Sequence, residues 1–113
     1  RAGIKFSIHS DAPVTFPSAM RILHSATNRV TRSGVILGPE ERLDALTALK
    51  AMTIWPAYQH FEENSKGSIE KGKVADLVVL SQNPITLPRE QLLELKVMET
   101  IKDGESVYRA DAL

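Results

Sequence analysis

The reading of the fold turns on GSIEKGKVADLVVLSQNP, Gly67–Pro84. Two glycines five residues apart open it, and Val74–Leu80 follows as a β-forming run that is apolar on both faces. The glycines suggest a phosphate-binding loop, but that motif needs Ser or Thr after Gly-Lys and a helix beyond. Val74 follows Lys73, and a strand comes next, so the stretch reads as a tight turn feeding a strand. Downstream, SQNPITLP is a loop and REQLLELK a short helix. VMETIKDGESVY then gives two strands around Asp103-Gly104, a pair suited to the positive φ angles of a tight hairpin turn.

Upstream, Ile4, Phe6 and Ile8 alternate with Lys5 and Ser7, the signature of a strand. Two prolines make DAPVTFP a loop. Ala19, Ile22, Leu23, Ala26 and Val30 fall on one helical face, with Ser18 as N-cap. A second helix is expected to start at Pro39, with Glu40, Glu41 and Asp44 at its positive end and Leu43, Leu46 and Leu49 on its buried side. Alanines 45, 48 and 51 widen that face. Pro56 cannot continue a helix but can begin one, so a break near Thr53–Trp55 and a third helix over PAYQHFEE are expected. The order is strand, three helices, then three strands with a helical excursion. The first strand has no visible neighbour and the last three are too few for an independent sheet, so both ends want partners outside this chain. The start, Arg1-Ala2-Gly3 without an initiator methionine, reads as a chain cut from something longer.

A length of 113 residues suits one modest domain. The 14 basic and 14 acidic residues cancel, which argues against a nucleic-acid or anionic-membrane partner. The absence of cysteine excludes disulfides, thiol catalysis and Cys-ligated zinc. No apolar run approaches the ~20 residues of a membrane span, and no signal peptide is visible. A cytoplasmic location is the expectation.

Asp11 leads the candidates for chemistry. It follows the C-terminal end of an apparent strand, the edge where α/β folds bind ligands, and a carboxylate there can ligate a metal or accept a proton. An Asp before Ala-Pro is also an ordinary turn residue. His9 falls on the same side as Asp11 by strand alternation, whereas Ser10 points the other way, so the three cannot form a Ser–His–Asp relay by adjacency. His24 and His60 lie on separate predicted helices without metal-ligand spacing, and His60 suits a helix end.

The stretch GSIEKGKVADLVV resembles the C-terminal signature of the amidohydrolase superfamily, G-x-[IL]-x-x-G-x-x-A-D-[LIF]-V-[VL]. IHSDAPV, RILHSATNRVT, LGPEERLDALTALKAMTIWPAYQHF and VMETIKDGESVY extend the resemblance over nearly the whole chain, toward the branch that contains N-substituted formamide deformylases. The resemblance implies an α/β fold. Residues 1–66 would be the last strand and C-terminal helices of a metal-dependent hydrolase (β/α)8 barrel, and residues 67–113 part of a small composite β-sandwich. It implies hydrolysis of a non-peptide, amide-like C–N bond in a small molecule by metal-activated water. Asp11 matches the aspartate that neighbours the metal and shuttles the proton. His9 stands where many relatives have glycine and at most lines the pocket. Asp76 matches a motif position that reads as structural. The implied cofactor is a divalent metal, zinc by expectation. The other ligands of that site come from earlier strands that this chain lacks, since a full barrel takes ~250 residues. The chain alone is therefore expected to be inactive, and to self-associate or bind the missing N-terminal portion. The alternative is a non-catalytic structural or assembly module.

Overall fold

A computed structural model describes residues 3–111. Helices α1 (Ala19–Asn28), α2 (Ala45–Met52) and α3 (Ile54–Gln59) precede strands β1 (Leu77–Leu80), β2 (Val97–Lys102) and β3 (Glu105–Arg109). Short 3-10 turns occupy Pro39–Glu41 and Arg89–Glu94.

α1 begins where its cap predicts: the Ser18 hydroxyl accepts the Arg21 amide, satisfying a donor that the first turn leaves open. It ends at Arg29, whose left-handed backbone (φ 53°) turns the chain out of the helix. Val30 therefore leaves the apolar stripe and bridges to Ile36.

The second helix starts later than its sequence suggests. Pro39 opens only a 3-10 turn, and Asp44 is the N-cap of α2 rather than a first-turn acid. Its carboxylate accepts the Thr47 amide at 2.9 Å and the Thr47 hydroxyl at 2.7 Å. The break has a tertiary cause. The Leu43 amide donates to the Ala26 carbonyl, and Arg42 Nε donates to the Asn28 carbonyl, so this segment follows α1 instead of its own helix axis. The shift turns Ala48 and Ala51 fully inward and leaves Leu46 45% exposed. α3 starts at Ile54, two residues before Pro56, which then sits in the first turn where its missing amide costs nothing.

Leu23, Ala48, Leu92 and Leu95 form the buried core, with Met20, Leu43, Leu49, Met52 and Leu87 packed around it. The predicted helix over REQLLELK is a 3-10 turn whose Leu92 fills this core between α1 and α2. Asn28, almost fully buried, fastens it: Nδ2 donates to the Arg89 carbonyl at 2.8 Å, and Arg89 Nη1 returns a bond to the Thr27 carbonyl at 3.3 Å.

The strands form an antiparallel sheet in the order β1-β2-β3. Asp103 (φ 51°) and Gly104 (φ 81°) make the expected tight turn. Asp76, read as structural, holds that turn: its Oδ1 accepts the Asp103 amide at 2.8 Å, while the neighbouring Ala75 carbonyl accepts the Gly104 amide at 3.0 Å. β1 is shorter than the apolar run that announces it. Its Val78 and Val79 stay 53% and 45% exposed, because no second layer covers them among the described residues. The turn before β1 is tied by Lys73, whose Nζ donates to the Ser68 hydroxyl at 2.6 Å and pairs with Glu70 at 3.4 Å.

The predicted first strand forms no ladder among the described residues: residues 3–10 carry neither strand nor helix there, and Ile4 is 73% exposed. Alternating side chains make a strand only when a neighbouring backbone supplies the ladder.

Candidate functional site

Asp11 sits in a compact turn at the end of this segment. Its backbone is left-handed (φ 52°), a region that Asp and Asn adopt more readily than other side chains. The Val14 amide donates to the Asp11 carbonyl at 2.8 Å, and the Thr15 hydroxyl donates to the Ser10 carbonyl at 2.9 Å. The Asp11 side chain is exposed, and its carboxylate has no hydrogen-bond or ion-pair partner among the described residues.

His9 is close to Asp11 for a reason that strand alternation does not supply. The Asp11 amide donates to His9 Nδ1 at 3.0 Å. That bond requires Nδ1 to be unprotonated, so the neutral ring carries its proton on Nε2. Ser10 contributes its carbonyl to the turn and makes no bond to His9, as expected of residues that share no relay. His24 and His60 are elsewhere. His24 Nδ1 meets the Asn28 amide nitrogen at 3.1 Å on α1, and His60 ends α3, its backbone amide bonded to the last turn.

A small cavity of about 260 Å3 lies between residues 8–10 and α1, lined by His9, Thr15, Arg21 and Ile22 among others. The most apolar groove, about 680 Å3, lies away from Asp11, between α2–α3 and β1. Its walls include Met52, Ile54, Ala57, Ile69, Leu77 and Val78, with His60, Glu62 and Lys66 also lining it.

Among the described residues no three His, Asp or Glu side chains converge as ligands. Zinc takes three or four protein ligands, so these residues do not hold a metal by themselves. Asp11 fits as one oxygen donor of a larger set.

The model of the Amidohydrolase family matches residues 1–108. The N-substituted formamide deformylase of Arthrobacter pascens is 39% identical over 107 residues, covering 95% of this chain and 20% of that protein. The putative amidohydrolase YtcJ of Bacillus subtilis (strain 168) is 31% identical over 109 residues, covering 94% of this chain and 21% of that protein. The crystal structure of an amidohydrolase from Thermotoga maritima MSB8 superposes with a TM-score of 0.66 at 28% identity, over 96% of this chain and 24% of that one. The chain thus spans about a fifth of the length of the curated relatives it matches.

Proposed function

The chain belongs to the amidohydrolase family, and from that premise we propose that it contributes the proton-transferring carboxylate to a hydrolase acting on a non-peptide, amide-like C–N bond. The observation that carries this reading is Asp11: an exposed carboxylate with no partner among the described residues, held on a left-handed turn after a segment that joins no sheet there. Residues 1–66 are read as the last strand and helices of a barrel, and residues 67–113 as part of a β-sandwich. The superposition on a longer amidohydrolase supports that reading.

The reaction asks two things of Asp11. As water adds to the carbonyl carbon, the carboxylate accepts its proton. As the C–N bond breaks, the resulting carboxylic acid gives that proton to the departing nitrogen. A divalent metal, zinc by family habit, would supply an acidified water, with Asp11 as one donor and the others from polypeptide beyond these residues. His9 is assigned to the pocket wall and to fixing the turn, because its Nδ1 is already engaged by the Asp11 amide. The relative's name points to N-substituted formamides as the first substrates to try.

The test is hydrolysis of a series of N-substituted formamides by the full gene product, read as formate released, with and without Asp11→Asn. The variant keeps the shape of the side chain and removes its basicity. A loss of about 10²–10⁴-fold in kcat is expected for a general acid–base group. An active enzyme whose Asp11→Asn variant stays within about threefold would refute the role. A full gene product with neither bound metal nor activity would favour the assembly-module alternative.

A further inference from the structure

The segment carrying Asp11 joins no sheet among the described residues, so its path must be fixed by other contacts. Three come from one corner of the helical layer. The Ala51 carbonyl, near the end of α2, accepts the Ile8 amide at 3.3 Å. The Trp55 ring packs against Phe6 with centroids 5.1 Å apart and planes tilted by 59°, within the separation that aromatic pairs favour. Lys5 Nζ lies 3.6 Å from the centroid of the Tyr58 ring, within cation–π range. Trp55 and Tyr58 are three apart on α3 and so share a face. That face contacts two consecutive residues of the segment, Lys5 and Phe6, and the Ile8 bond follows two residues after Phe6.

We propose that Trp55 and Tyr58 are positioning residues for Asp11. The inference rests on the reading of Asp11 as the proton carrier. Only His9 and Ser10 separate Ile8 from Asp11, and that interval is closed by the His9–Asp11 and Asp11–Val14 hydrogen bonds. It has little freedom to absorb a displacement, so a shift of Lys5–Ile8 on α3 moves the carboxylate with it. Misplacing a reacting group by ~1 Å costs up to about 10²-fold in rate.

The test has two arms, each comparing Trp55→Ala with the ring-preserving Trp55→Phe. In the 113-residue chain, NMR hydrogen exchange reads the Ile8 and Asp11 amides against the Ala48 amide, which bonds to the Asp44 carbonyl inside the helical layer. The expected result is exchange about tenfold faster at Ile8 and Asp11 in Trp55→Ala, little change at Ala48, and return toward wild type in Trp55→Phe. An unmoved Ile8 amide overturns the clamp, and so does an equal rise at Ala48, which would mean general destabilisation. In the full gene product, Trp55→Ala is expected to lower kcat about tenfold with KM nearly unchanged, and Trp55→Phe to restore it. Faster Ile8 exchange with unchanged kcat overturns the positioning role. The exchange arm needs no activity, so the clamp can fail while Asp11→Asn still upholds the proton carrier, and the reverse.

Discussion

Replacing Gly67 with alanine should destabilise the protein more than the same change at Gly72, although the two backbones are nearly alike. Gly67 has φ +93° and Gly72 φ +92°, a conformation that costs a side-chain-bearing residue about 1–3 kcal/mol. Their surroundings differ. A methyl group on Gly67 would lie 2.7 Å from Ala57 Cβ, 3.0 Å from Ile54 Cα and 3.1 Å from the Thr53 carbonyl oxygen, whereas one on Gly72 meets nothing within 4 Å. Two of the three obstacles are backbone atoms of α3 and its N-cap, so no rotamer change relieves them. Overpacking of this kind costs about 1–3 kcal/mol. Alanine also restricts the unfolded chain, which offsets about 0.4–1 kcal/mol of the loss. That offset and the backbone strain are common to both sites and cancel in the difference. Gly67→Ala should therefore be less stable than Gly72→Ala by about 1–3 kcal/mol. Urea denaturation followed by the fluorescence of Trp55, the single tryptophan, measures it as a lower midpoint at constant slope. Equal losses, within about 0.5 kcal/mol, would refute the idea that this turn docks against α3 through a glycine.

The Asp44 cap makes a pH-dependent contribution. Hydrogen bonds from the Thr47 hydroxyl and amide hold its carboxyl below the ordinary value of 3.8. The folded form is the more acidic, so this stabilisation is complete above that value and is lost as pH falls through the lower folded one. Asp44→Ala should cost about 1 kcal/mol at neutral pH, and Asp44→Asn less, with the acid-sensitive part removed; urea midpoints measured across the acid range check both. The exposed apolar side chains of β3, Val107 and Tyr108, together with the uncovered Val78, predict self-association of the 113-residue chain. Sedimentation velocity over a concentration series should show it, with Val107→Lys shifting the population toward monomer. A wild-type chain that stays monomeric throughout would refute this.

What the sequence revealed was local. Ser18 and the Asp103-Gly104 turn were legible because cap and turn chemistry act within a few residues. The start of α2 was not, because Pro39 and Asp44 are both valid start signals. The choice between them is made by Leu43 and Arg42 bonding to α1. The role of Asn28 carries no local signal, since its partner Arg89 is 61 positions away. Asp76 was recognisable as structural from its motif, but its bond to the Asp103 amide needed the folded hairpin.

The candidate site shows the same division. The place of Asp11, after an extended run and before Ala-Pro, was readable, and so was the failure of Ser10 to join a relay. The left-handed backbone and the His9 bond were not, because alternation assumes a strand that continues through the residue. Phe6 and Lys5 read as the two sides of a strand, yet among the described contacts their ring and cation partners both lie on α3. This explains how a segment that joins no sheet among the described residues can still present a carboxylate in a defined place. A single exposed carboxylate cannot bind a metal alone or lower a barrier by much. It becomes useful when its position is fixed before the other donors arrive, because each donor already held in place is one less to order when the site assembles. The helices and the turn fix that position within this chain, and under the proposed reading the remaining donors would come from outside these residues.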